Sequence, residues 1–457
     1  MGNLQGTWLI IGLARSGCAA GALLRRCGAR VVGGDDAERT ALEAKWEHGG
    51  LMDAAASAYH EIRTGADWWL DLPALDGVVL SPGVPGDHPA LKSLPSGTTI
   101  IGELELGWRV FAGEALAVTG TNGKTTTTEL VAHLLREAGY DAYALGNLGR
   151  PLSDVADALG PDAVAVIEAS SFQLETIDTF RPRAGAVLNL APDHLDRYPD
   201  LDAYFEAKHN LIKALGDEGL FVTWTDCIEA LSWSAARRTL FGARRDGASV
   251  FLQDGWLVRL RGGDEEPILP IADLGLKGGP NLLNAMAAVA LVEVYDVDAQ
   301  VLATGLRSFR GLPHRQELVI ESAGVRFVDD SKATNVHAVC AGLAGYDADV
   351  VVILGGSGKG ENYAPLRDAM GSVSHAVLIG AEADAMAEAL AGAVAIVRAS
   401  SMDEAVHTAA ALADGRGTVL LSPACASFDM FRDYHHRGEA FAGAARAWAA
   451  TREGTRP

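Results

Sequence analysis

The stretch of sequence that decides the fold is Val118-Thr119-Gly120-Thr121-Asn122-Gly123-Lys124-Thr125-Thr126. It follows an apolar run at 115–117 and precedes a helical pattern of apolar residues at 130–135 that closes at Gly139. A strand, a glycine loop, a lysine and hydroxyl side chains at the start of a helix form the arrangement that cradles nucleoside triphosphates. The pattern therefore predicts a phosphate-binding loop.

In such a loop, backbone N–H groups face the phosphates, the lysine reaches the terminal phosphates, and the hydroxyl that follows holds Mg²⁺. We expect Lys124 and Thr125 to take the last two roles. The strict spacing of the motif asks for a glycine at position 118, where this chain has valine. A plain glycine turn between a strand and a helix is therefore the alternative.

Length and composition favour a chain of several α/β domains. The 457 residues correspond to about three domains of ordinary size. Of these residues 49% are hydrophobic and only 7% are aromatic, which favours closely packed α/β layers over sandwiches or barrels.

Charge and cysteine usage exclude several classes of partner. The formal net charge of −21 argues against nucleic acid or an anionic membrane surface as a partner. The five cysteines are scattered and never form a C-x-x-C pair, which is typical of a reducing cytosol and provides no metal framework. The N-terminus lacks a secretory signal pattern, and no apolar stretch is long enough to span a bilayer. We therefore expect a soluble, cytoplasmic protein.

The first segment has the pattern of a nucleotide-binding βαβ unit. The middle glycine of the dinucleotide fingerprint is replaced by Ala14, whose methyl group hinders close approach of a pyrophosphate, so whether a nucleotide binds here stays open. A turn at 81–85 follows a strand at 78–80 and is a second candidate ligand loop. The parts of the βαβ unit are a strand (Thr7–Ile11), a loop (Gly12–Gly17), a helix, a strand (Arg30–Val32) and the acids Asp35 and Asp36.

Two further α/β units follow, beginning near Gly113 and Gly311. We predict an α/β fold of three domains, with Rossmann-like first and third domains around a central P-loop ATPase-type domain, and boundaries at 1–107, 108–311 and 312–457. The strands predicted after the first unit are Leu116–Val118, Ala163–Ile167, Ala184–Leu190, Val325–Val328, Val350–Leu354, Ala376–Ile379, Ala395–Val397 and Val419–Leu421, with a helix over Met402–Ala413.

Two strand ends carry side chains suited to a metal. Glu168 follows the strand Ala163–Ile167, and His194 comes soon after the strand that ends at Leu190. Because the carboxyl ends of parallel strands meet at one edge, both side chains should face the phosphate loop and could hold a metal there. Each alone would be an ordinary loop residue, but together they predict a metal site.

Lys208 lies on the apolar face of a predicted helix, four residues from both Tyr204 and Ile212. It could extend its ammonium from the edge of a core into water. Alternatively it is buried near a metal, and burial makes its amine reactive. Its neighbours Glu206 and His209 lie off this face and are expected to be solvated.

Polar segments also follow the strands of the third unit. Arg315, in the junction 311–315, could reach a γ-phosphate when domains close, as an arginine finger does, or be a surface hinge residue. The segments at 329–335, 355–359 and 422–429 are dense in charges and hydroxyls. Asp330 could simply be an N-cap, and Cys425 is expected to pack a tight turn rather than act as a nucleophile.

Together these motifs resemble the Mur ligase family, and most closely its D-glutamate-adding member, almost from end to end of the chain. GTNGKTT alone is shared with sister ligases and folylpolyglutamate synthases, whereas SSFQLE, DSKATN and SPACAS together indicate the D-glutamate-adding member. The DNPR-type signature of the diamino-acid-adding ligase is absent. The segments that carry the resemblance are GTNGKTT (120–126), GNLG (146–149), EASSFQLE (168–175), DHLDRY (193–198), YFEAKHNLIK (204–213), PNLLNAMAA (280–288), GLPHR (311–315), DDSKATN (329–335), GGSGK (355–359) and SPACASFD (422–429).

The resemblance implies an ATP- and Mg²⁺-dependent ligase of peptidoglycan precursor synthesis. In the family's reaction a carboxylate of UDP-N-acetylmuramoyl-L-alanine attacks the γ-phosphate of ATP, and the amine of D-glutamate then displaces phosphate from the acyl phosphate. A carboxylate is a poor electrophile, so catalysis rests on activation, positioning and neutralisation of charge. A monomer acting on these small substrates is expected.

The resemblance also implies roles for individual residues. The residues implied for ATP are Gly120, Thr121, Asn122, Gly123, Lys124, Thr125, Thr126, Asn281 (adenine), Arg315 (γ-phosphate) and Asp330 (ribose). Those implied for Mg²⁺ are Thr125, Glu168, His194 and a carbamylated Lys208, and the catalytic set is Lys124, His194, Lys208 and Arg315. Those implied for the nucleotide-sugar substrate are Ala14, Arg15, Ser16, Asp35, Asp36, Ser81, Gly83, Asn147 and Ser171. Those implied for the incoming amino acid are Lys332, Thr334, Lys359, Ser427 and Phe428.

The chain departs from the family pattern at Pro280, where relatives commonly have histidine, and at Phe428 and Tyr434, where leucine and phenylalanine also occur. Three other functions stay open: a ligase for another amino acid or the L-isomer, a nucleotide switch or ATPase without ligation, and an NAD-dependent oxidoreductase that uses residues 7–36. Ala14 counts against the oxidoreductase, and the ATPase would leave three loops of the third unit unexplained.

Overall fold

The structure is a computed structural model that describes residues 4–147, 149–194, 197–276, 278–358 and 360–453. Strands and helices alternate along the chain and form three sheets. The predicted α/β class, with one sheet for each of the three predicted α/β units, is confirmed. Among the described helices, none is both long and apolar enough to cross a membrane.

The first sheet has five parallel strands in the order β3-β2-β1-β4-β5. Its central strands are buried on both faces, which explains their almost continuous apolar sequence. The elements are β1 (Thr7–Ile11), α1 (Arg15–Arg26), β2 (Arg30–Asp35), α2 (Arg39–His48), α3 (Met52–Ala58), β3 (Glu61–Thr64), β4 (Gly77–Leu80), α4 (Pro89–Lys92), β5 (Ile100–Gly102) and α5 (Glu103–Val110).

The second sheet has nine strands in the order β14-β13-β12-β11-β10-β9-β6-β8-β7. It is parallel from β7 to β12, and β13 and β14 add an antiparallel edge. The elements are β6 (Glu114–Thr119), α6 (Lys124–Glu137), β7 (Asp141–Gly146), β8 (Ala163–Glu168), α7 (Ser171–Leu174), β9 (Ala184–Val187), α8 (Leu201–Ala214), β10 (Leu220–Trp224), α9 (Ile228–Leu231), β11 (Arg237–Phe241), β12 (Val250–Gln253), β13 (Trp256–Arg261), β14 (Asp264–Pro270), α10 (Gly279–Leu291) and α11 (Ala299–Ser308).

The third sheet has six strands in the order β15-β16-β20-β17-β18-β19, of which only β15 runs antiparallel. Separate apolar clusters cover its two faces. The elements are β15 (Glu317–Ser322), β16 (Val325–Asp329), α12 (Val336–Leu343), β17 (Val350–Gly355), α13 (Leu366–Ala369), β18 (Val373–Ile379), α14 (Ala383–Leu390), β19 (Ala395–Arg398), α15 (Met402–Leu412), β20 (Gly417–Leu421) and α16 (Tyr434–Glu453).

Contacts divide the chain into two compact units. The first comprises Met1–Ala272 with Ala285–Leu306 and contains the first two sheets, and the second comprises Asp273–Asn284 with Arg307–Pro457 and contains the third sheet. The boundaries at 107/108 and 311/312 stay predictions.

Several local predictions need correction. The strand placed over Arg30–Val32 continues to Asp35, and the strand placed over Ala376–Ile379 begins at Val373. The loop placed over Gly12–Gly17 is shorter, because α1 already begins at Arg15. The strand placed over Ala184–Leu190 ends at Val187, since the next residues leave the ladder to hold the phosphate loop.

Candidate active site

The phosphate loop lies between β6 and α6, at the carboxyl end of strand β6 in the second sheet, which is called the central sheet below. Gly120 and Gly123 have φ angles of 140° and 85°, a region that glycine adopts readily and side chains disfavour. Gly123 is the N-cap of α6 and provides no side-chain cap. Backbone N–H groups at an uncapped helix start are suited to an anion.

The segment after β9 holds this loop in place. The N–H of Thr121 donates to Asn189 O at 3.0 Å, and that of Asn122 donates to Asn189 Oδ1 at 2.9 Å. The Thr121 hydroxyl donates to Ala191 O at 3.1 Å and lies 3.3 Å from the Tyr204 hydroxyl. The Thr121 side chain is therefore engaged by the protein itself.

Two lysines converge on one carbonyl of the loop. Lys124 Nζ donates to Gly120 O at 2.9 Å and to Thr121 O at 2.8 Å, and Lys208 Nζ donates to Gly120 O at 3.0 Å. Only 1% of Lys208 is exposed, so the alternative that its ammonium extends into water is wrong.

The surroundings of Lys208 favour its neutral form. Burial, followed by the charge of Lys124, lowers the pKa of Lys208 well below its ordinary value, and the nearby carboxylates of Asp193 and Glu168 only partly offset this. Its ammonium also lies 4.6 Å from the centre of the Tyr204 ring. Burial therefore favours the neutral, reactive form of the Lys208 amine beside the phosphate loop.

Glu168 offers an oxygen suited to a cation. The residue is 1% exposed, and its Oε1 accepts a hydrogen bond from Asn147 Nδ2 at 3.1 Å. Its Oε2 is buried and has no hydrogen-bond donor within the described part of the chain. Because a buried carboxylate oxygen is costly without a partner, this atom fits a hard metal ion.

His194 adopts a left-handed backbone with φ of 56°, held by a hydrogen bond from its N–H to Asp193 Oδ1 at 2.9 Å. Its ring packs edge-on against Phe172 at 4.9 Å and lies 6.1 Å from the Tyr204 ring. His194 and Lys208 therefore contact the same aromatic side chain, on the side of the sheet where the phosphate loop lies.

The loops of the first sheet gather several of the residues implied for the nucleotide sugar. Ser81 Oγ donates to Gly12 O at 2.6 Å, and Asp35 Oδ2 accepts from the N–H of Leu13 at 2.9 Å. Asp36 accepts from Trp68 Nε1 at 2.8 Å and hydrogen-bonds His88 Nε2 at 2.9 Å. Asp35 therefore shapes the glycine loop, whereas Asp36 joins an aromatic cluster.

Two arginines connect these loops to the central sheet. Arg15 Nη1 donates to Gly149 O at 3.1 Å, and Arg197 Nη1 donates to Pro82 O at 2.8 Å. The remaining residues implied for this substrate lie in the same loops or at the adjoining strand and helix ends: Ala14, Ser16, Gly83, Asn147 and Ser171.

In the second compact unit, Asp330 is buried in a hydrogen-bond network. Its carboxylate accepts from Gln316 Nε2 at 2.6 Å and from the Ser422 hydroxyl at 3.2 Å. Burial raises the pKa of Asp330 to about 7. The N-cap of α12 is Asn335, whose side chain accepts from the N–H of Ala338, so the alternative that Asp330 is an N-cap is wrong.

The residues implied for the amino acid lie after β16, β17 and β20, which are neighbouring parallel strands. The Lys332 ammonium lies 4.1 Å from the centre of the Tyr434 ring. Ser427 is 2% exposed and Phe428 is 74% exposed. Lys359 lies outside the described residues.

The remaining predicted residues of this unit are partly or fully buried. Thr334 follows Lys332 in the loop after β16, and its N–H donates to Lys332 O at 2.8 Å. Asn281 is 7% exposed and accepts from Asn284 Nδ2 at 3.2 Å. Arg315 is partly buried between His314 and Gln316.

The sequence analysis did not identify Arg437 as a functional or structural residue. Its guanidinium is 1% exposed and donates to Ser331 O at 2.8 Å, Cys425 O at 3.0 Å and Ala426 O at 3.2 Å. It therefore joins the loop after β16 to the loop after β20. The available signal was helical spacing, since Arg437 shares the buried face of α16 with Phe441.

The structure also tests the expectations for the neighbours of Lys208 and for Cys425. Glu206 is exposed as expected, but His209 stacks on Trp233 with 4.6 Å between ring centres. Cys425 is buried, and burial raises the pKa of its thiol to about 11. A thiol with a raised pKa is a poor nucleophile, which supports the packing role.

Two models of protein families match this chain, and together they cover more than half of it. The Mur ligase middle domain matches residues 118–292, and the Mur ligase glutamate ligase domain matches residues 314–425. The UDP-N-acetylmuramoylalanine–D-glutamate ligase of Trichlorobacter lovleyi is 40% identical over 441 aligned positions, and the match covers 94% of this chain and 96% of the relative. That of Anaeromyxobacter dehalogenans is 40% identical over 461 residues, covering 96% and 97%.

Solved structures share the fold at low identity. The UDP-N-acetylmuramate-alanine ligase MurC from Thermotoga maritima has a TM-score of 0.61 at 19% identity and covers 97% of this chain and 99% of its own. The MurF ligase from the same organism, solved in complex with ADP, has a TM-score of 0.60 at 15% identity, with coverage of 93% and 96%.

Proposed function

The chain belongs to the Mur ligase family, and we propose that it catalyses the ATP-dependent addition of D-glutamate to UDP-N-acetylmuramoyl-L-alanine. The relatives at about 40% identity over nearly the whole chain carry the name of this activity. One structural observation carries the proposal. At one edge of the second sheet, a phosphate loop and the buried Lys208 lie together with a Glu168 oxygen that has no donor among the described residues.

ATP would bind at the loop 120–126. The N–H groups at the start of α6 would hold its phosphates, and Lys124 would exchange its two carbonyl acceptors for phosphate oxygens. Asn281, Arg315 and Asp330 are proposed for the adenine, the γ-phosphate and the ribose. Asp330 would have to share its oxygens with Gln316 to do so.

Mg²⁺ would be held by Thr125, Glu168, His194 and a carbamate on Lys208. The fit rests on the Glu168 oxygen that lacks a donor in the described chain and on the buried Lys208 amine, whose pKa burial lowers. The ion would neutralise charge on the phosphate oxygens.

The nucleotide sugar would bind to the loops of the first sheet, at Ala14–Ser16, Asp35-Asp36, Ser81 and Gly83. Asn147 and Ser171 lie at the strand end and helix start that Arg15 and Arg197 tie to these loops. These contacts would bring the substrate carboxylate toward the phosphate loop of the same unit.

The amino acid would bind to Lys332, Thr334, Lys359, Ser427 and Phe428. Lys332 and Lys359 would hold its carboxylates, and its amine must lose a proton before it attacks the acyl phosphate. The reaction then proceeds by positioning two anions and neutralising their charge, because neither step requires covalent attachment to the enzyme.

We place this activity in the cytoplasm, in a monomeric enzyme of three domains bounded at 107/108 and 311/312. The strongly negative net charge supports small-molecule substrates over nucleic acid or membrane partners. Membership of a ligase family removes the basis for an oxidoreductase interpretation of residues 7–36.

An omission experiment separates the ligase from an ATPase or nucleotide switch. Phosphate release by the purified chain should require ATP, Mg²⁺, UDP-N-acetylmuramoyl-L-alanine and an amino acid together. Sustained release without the nucleotide sugar or without the amino acid would favour the ATPase.

A further inference from the structure

The segment around Arg315 has an unusual backbone. His314 and Gln316, on either side of Arg315, have φ angles of 62° and 52°. Residues with a Cβ rarely adopt this left-handed region, and a strained conformation persists only where the surroundings impose it. Two such residues flanking one arginine indicate that the position of Arg315 is fixed by its neighbours.

Consecutive carboxylates hold the two flanking residues. His314 Nδ1 lies 2.7 Å from Asp329 Oδ2, and Gln316 Nε2 donates to Asp330 Oδ2 at 2.6 Å. The N–H of Gln316 also donates to Asp330 Oδ1 at 3.3 Å. The end of β16 therefore grips the chain immediately before and immediately after Arg315.

A glycine in a neighbouring helix leaves room for each of these two hydrogen-bonded pairs. A Cβ on Gly438 of α16 would overlap His314 Nδ1 and would lie 2.6 Å from Asp329 Oδ2. A Cβ on Gly342 of α12 would lie 2.8 Å from Gln316 Nε2 and 3.3 Å from Asp330 Oδ2. Glycine inside a helix lowers the stability of the helix relative to alanine. Both glycines therefore cost helix stability, but they leave room for the hydrogen bonds of His314 and Gln316.

Hydrogen bonds link the acidic cluster around His314. His314, Glu317 and Asp329 offer ligand atoms within 4.8 Å of one another, but these atoms already have partners. Glu317 Oε2 accepts from the N–H of His314 at 2.9 Å, and Asp329 Oδ1 accepts from the N–H of Ser331 at 2.8 Å.

We propose that the pairs His314–Asp329 and Gln316–Asp330, with room provided by Gly438 and Gly342, form a clamp that positions Arg315 for the transferred phosphate. The clamp residues are positioning residues that act through Arg315. This inference rests on the proposed function, because it takes Arg315 as the group that meets the γ-phosphate. Displacing a charge-stabilising group by about 1 Å can lower turnover by about 10²-fold.

The test is a double-mutant cycle in the full chain, with variants Gly438→Ala, Gly342→Ala and Arg315→Ala. Each glycine variant should lower kcat between about 10-fold and about 100-fold, with little change in the Kd for the nucleotide sugar. Combined with Arg315→Ala, neither should lower kcat further, because a displaced arginine and a missing one have the same consequence. A role in folding alone would give the same fold loss in both backgrounds.

Gly443→Ala is the matched control, since Gly443 lies in the same helix and its Cβ would meet nothing within 4 Å. It should retain wild-type kcat. The clamp is refuted if Gly438→Ala behaves like Gly443→Ala, or if the losses multiply with that of Arg315→Ala. If Gly438→Ala does not fold by circular dichroism, Asp329→Asn takes its place in the cycle with the same two outcomes. A wild-type chain without ligase activity would refute the proposed function instead.

Discussion

The Lys208 amine lies where water does not reach, and the cation Lys124 shares its carbonyl acceptor. An ammonium there is costly, and burial together with Lys124 lowers the pKa of Lys208. A neutral amine can add CO₂ through a new N–C bond and release one proton to solvent, which gives a carbamate. The product is an anion, so repulsion between the lysines becomes attraction and two hard oxygens become available to Mg²⁺.

We predict that Lys208 carries this carbamate when nucleotide and Mg²⁺ are bound. Lys208→Ala should be nearly inactive and should recover part of its activity with acetate or another short carboxylate, which would replace the missing oxygens. Lys213→Ala is the control, because Lys213 lies on the same helix with half of its side chain exposed and pairs with Glu206. Full activity of Lys208→Ala, or an unmodified ammonium facing solvent in a nucleotide-bound crystal structure, would defeat the prediction.

At the scale of elements, α5 begins with two buried carboxylates in opposite environments. Glu103 is 1% exposed, accepts the N–H of Ser153 at 2.8 Å, and burial raises its pKa to about 7. Burial also disfavours ionised Glu105, but hydrogen bonds from Thr179 and from the N–H of Asp178 outweigh it, and the pKa of Glu105 is lowered.

The two groups should therefore make opposite contributions to the pH dependence of stability. Folded Glu103 keeps its proton between pH 4.5 and about 7, where the unfolded chain has released it, so its contribution falls as pH rises across that window. Relative to Glu103→Gln, the wild type should lose on the order of 3 kcal/mol of unfolding free energy between pH 5 and pH 8. Denaturant unfolding at both pH values measures this.

Glu105→Gln gives the opposite sign and serves as the comparison. Because the folded pKa is lowered, the ionised carboxylate stabilises the fold above the unfolded pKa, and this contribution is lost as pH falls through the folded pKa. Glu105→Gln should thus be most destabilised at pH 8. Equal pH dependence of Glu103→Gln and the wild type would contradict the assignment for Glu103.

The junction that enters β15 carries a third prediction. Arg315→Ala should lower kcat by at least about 10²-fold, the scale of losing one charge-stabilising donor, with an unchanged Kd for the nucleotide sugar. Arg310→Ala, which changes an exposed arginine five residues before Arg315, should keep normal turnover. A normal turnover number for Arg315→Ala would count against its proposed role.

The sequence predicts well those elements whose burial determines their pattern. β1 and β8 are buried on both faces and appear as apolar runs, so their positions follow from the sequence. Strands β3, β5, β7 and β10–β15 were not predicted. Charges at exposed positions hide β11, β13 and β14, and Pro267 also interrupts β14. The apolar, buried β10 was overlooked although its pattern is that of a core strand. The grip of Asp330 on Gln316 joins residues on different loops, and no local pattern contains such a contact.

At the scale of the whole molecule, the chain has a net charge of −21. It is proposed to join two anionic substrates, the nucleotide sugar and D-glutamate, and to use a third anion, ATP, to do so. The cations must therefore be local, and the described structure fixes several of them by contacts to carbonyls, rings or carboxylates. Lys124 lies on carbonyls of the phosphate loop, Lys332 on the Tyr434 ring, and Arg437 on the carbonyls of two loops. Charge of the opposite sign is thereby concentrated where the substrates are proposed to bind.

The most direct test of the central claim is the stereochemistry of the amino acid that is consumed. The purified chain is incubated with UDP-N-acetylmuramoyl-L-alanine, ATP and Mg²⁺, and with D-glutamate, L-glutamate or L-alanine in turn. We predict stoichiometric phosphate release and a product heavier by one glutamyl residue with D-glutamate alone. Equal phosphate release with L-glutamate or L-alanine, or release without a ligated product, would contradict the account.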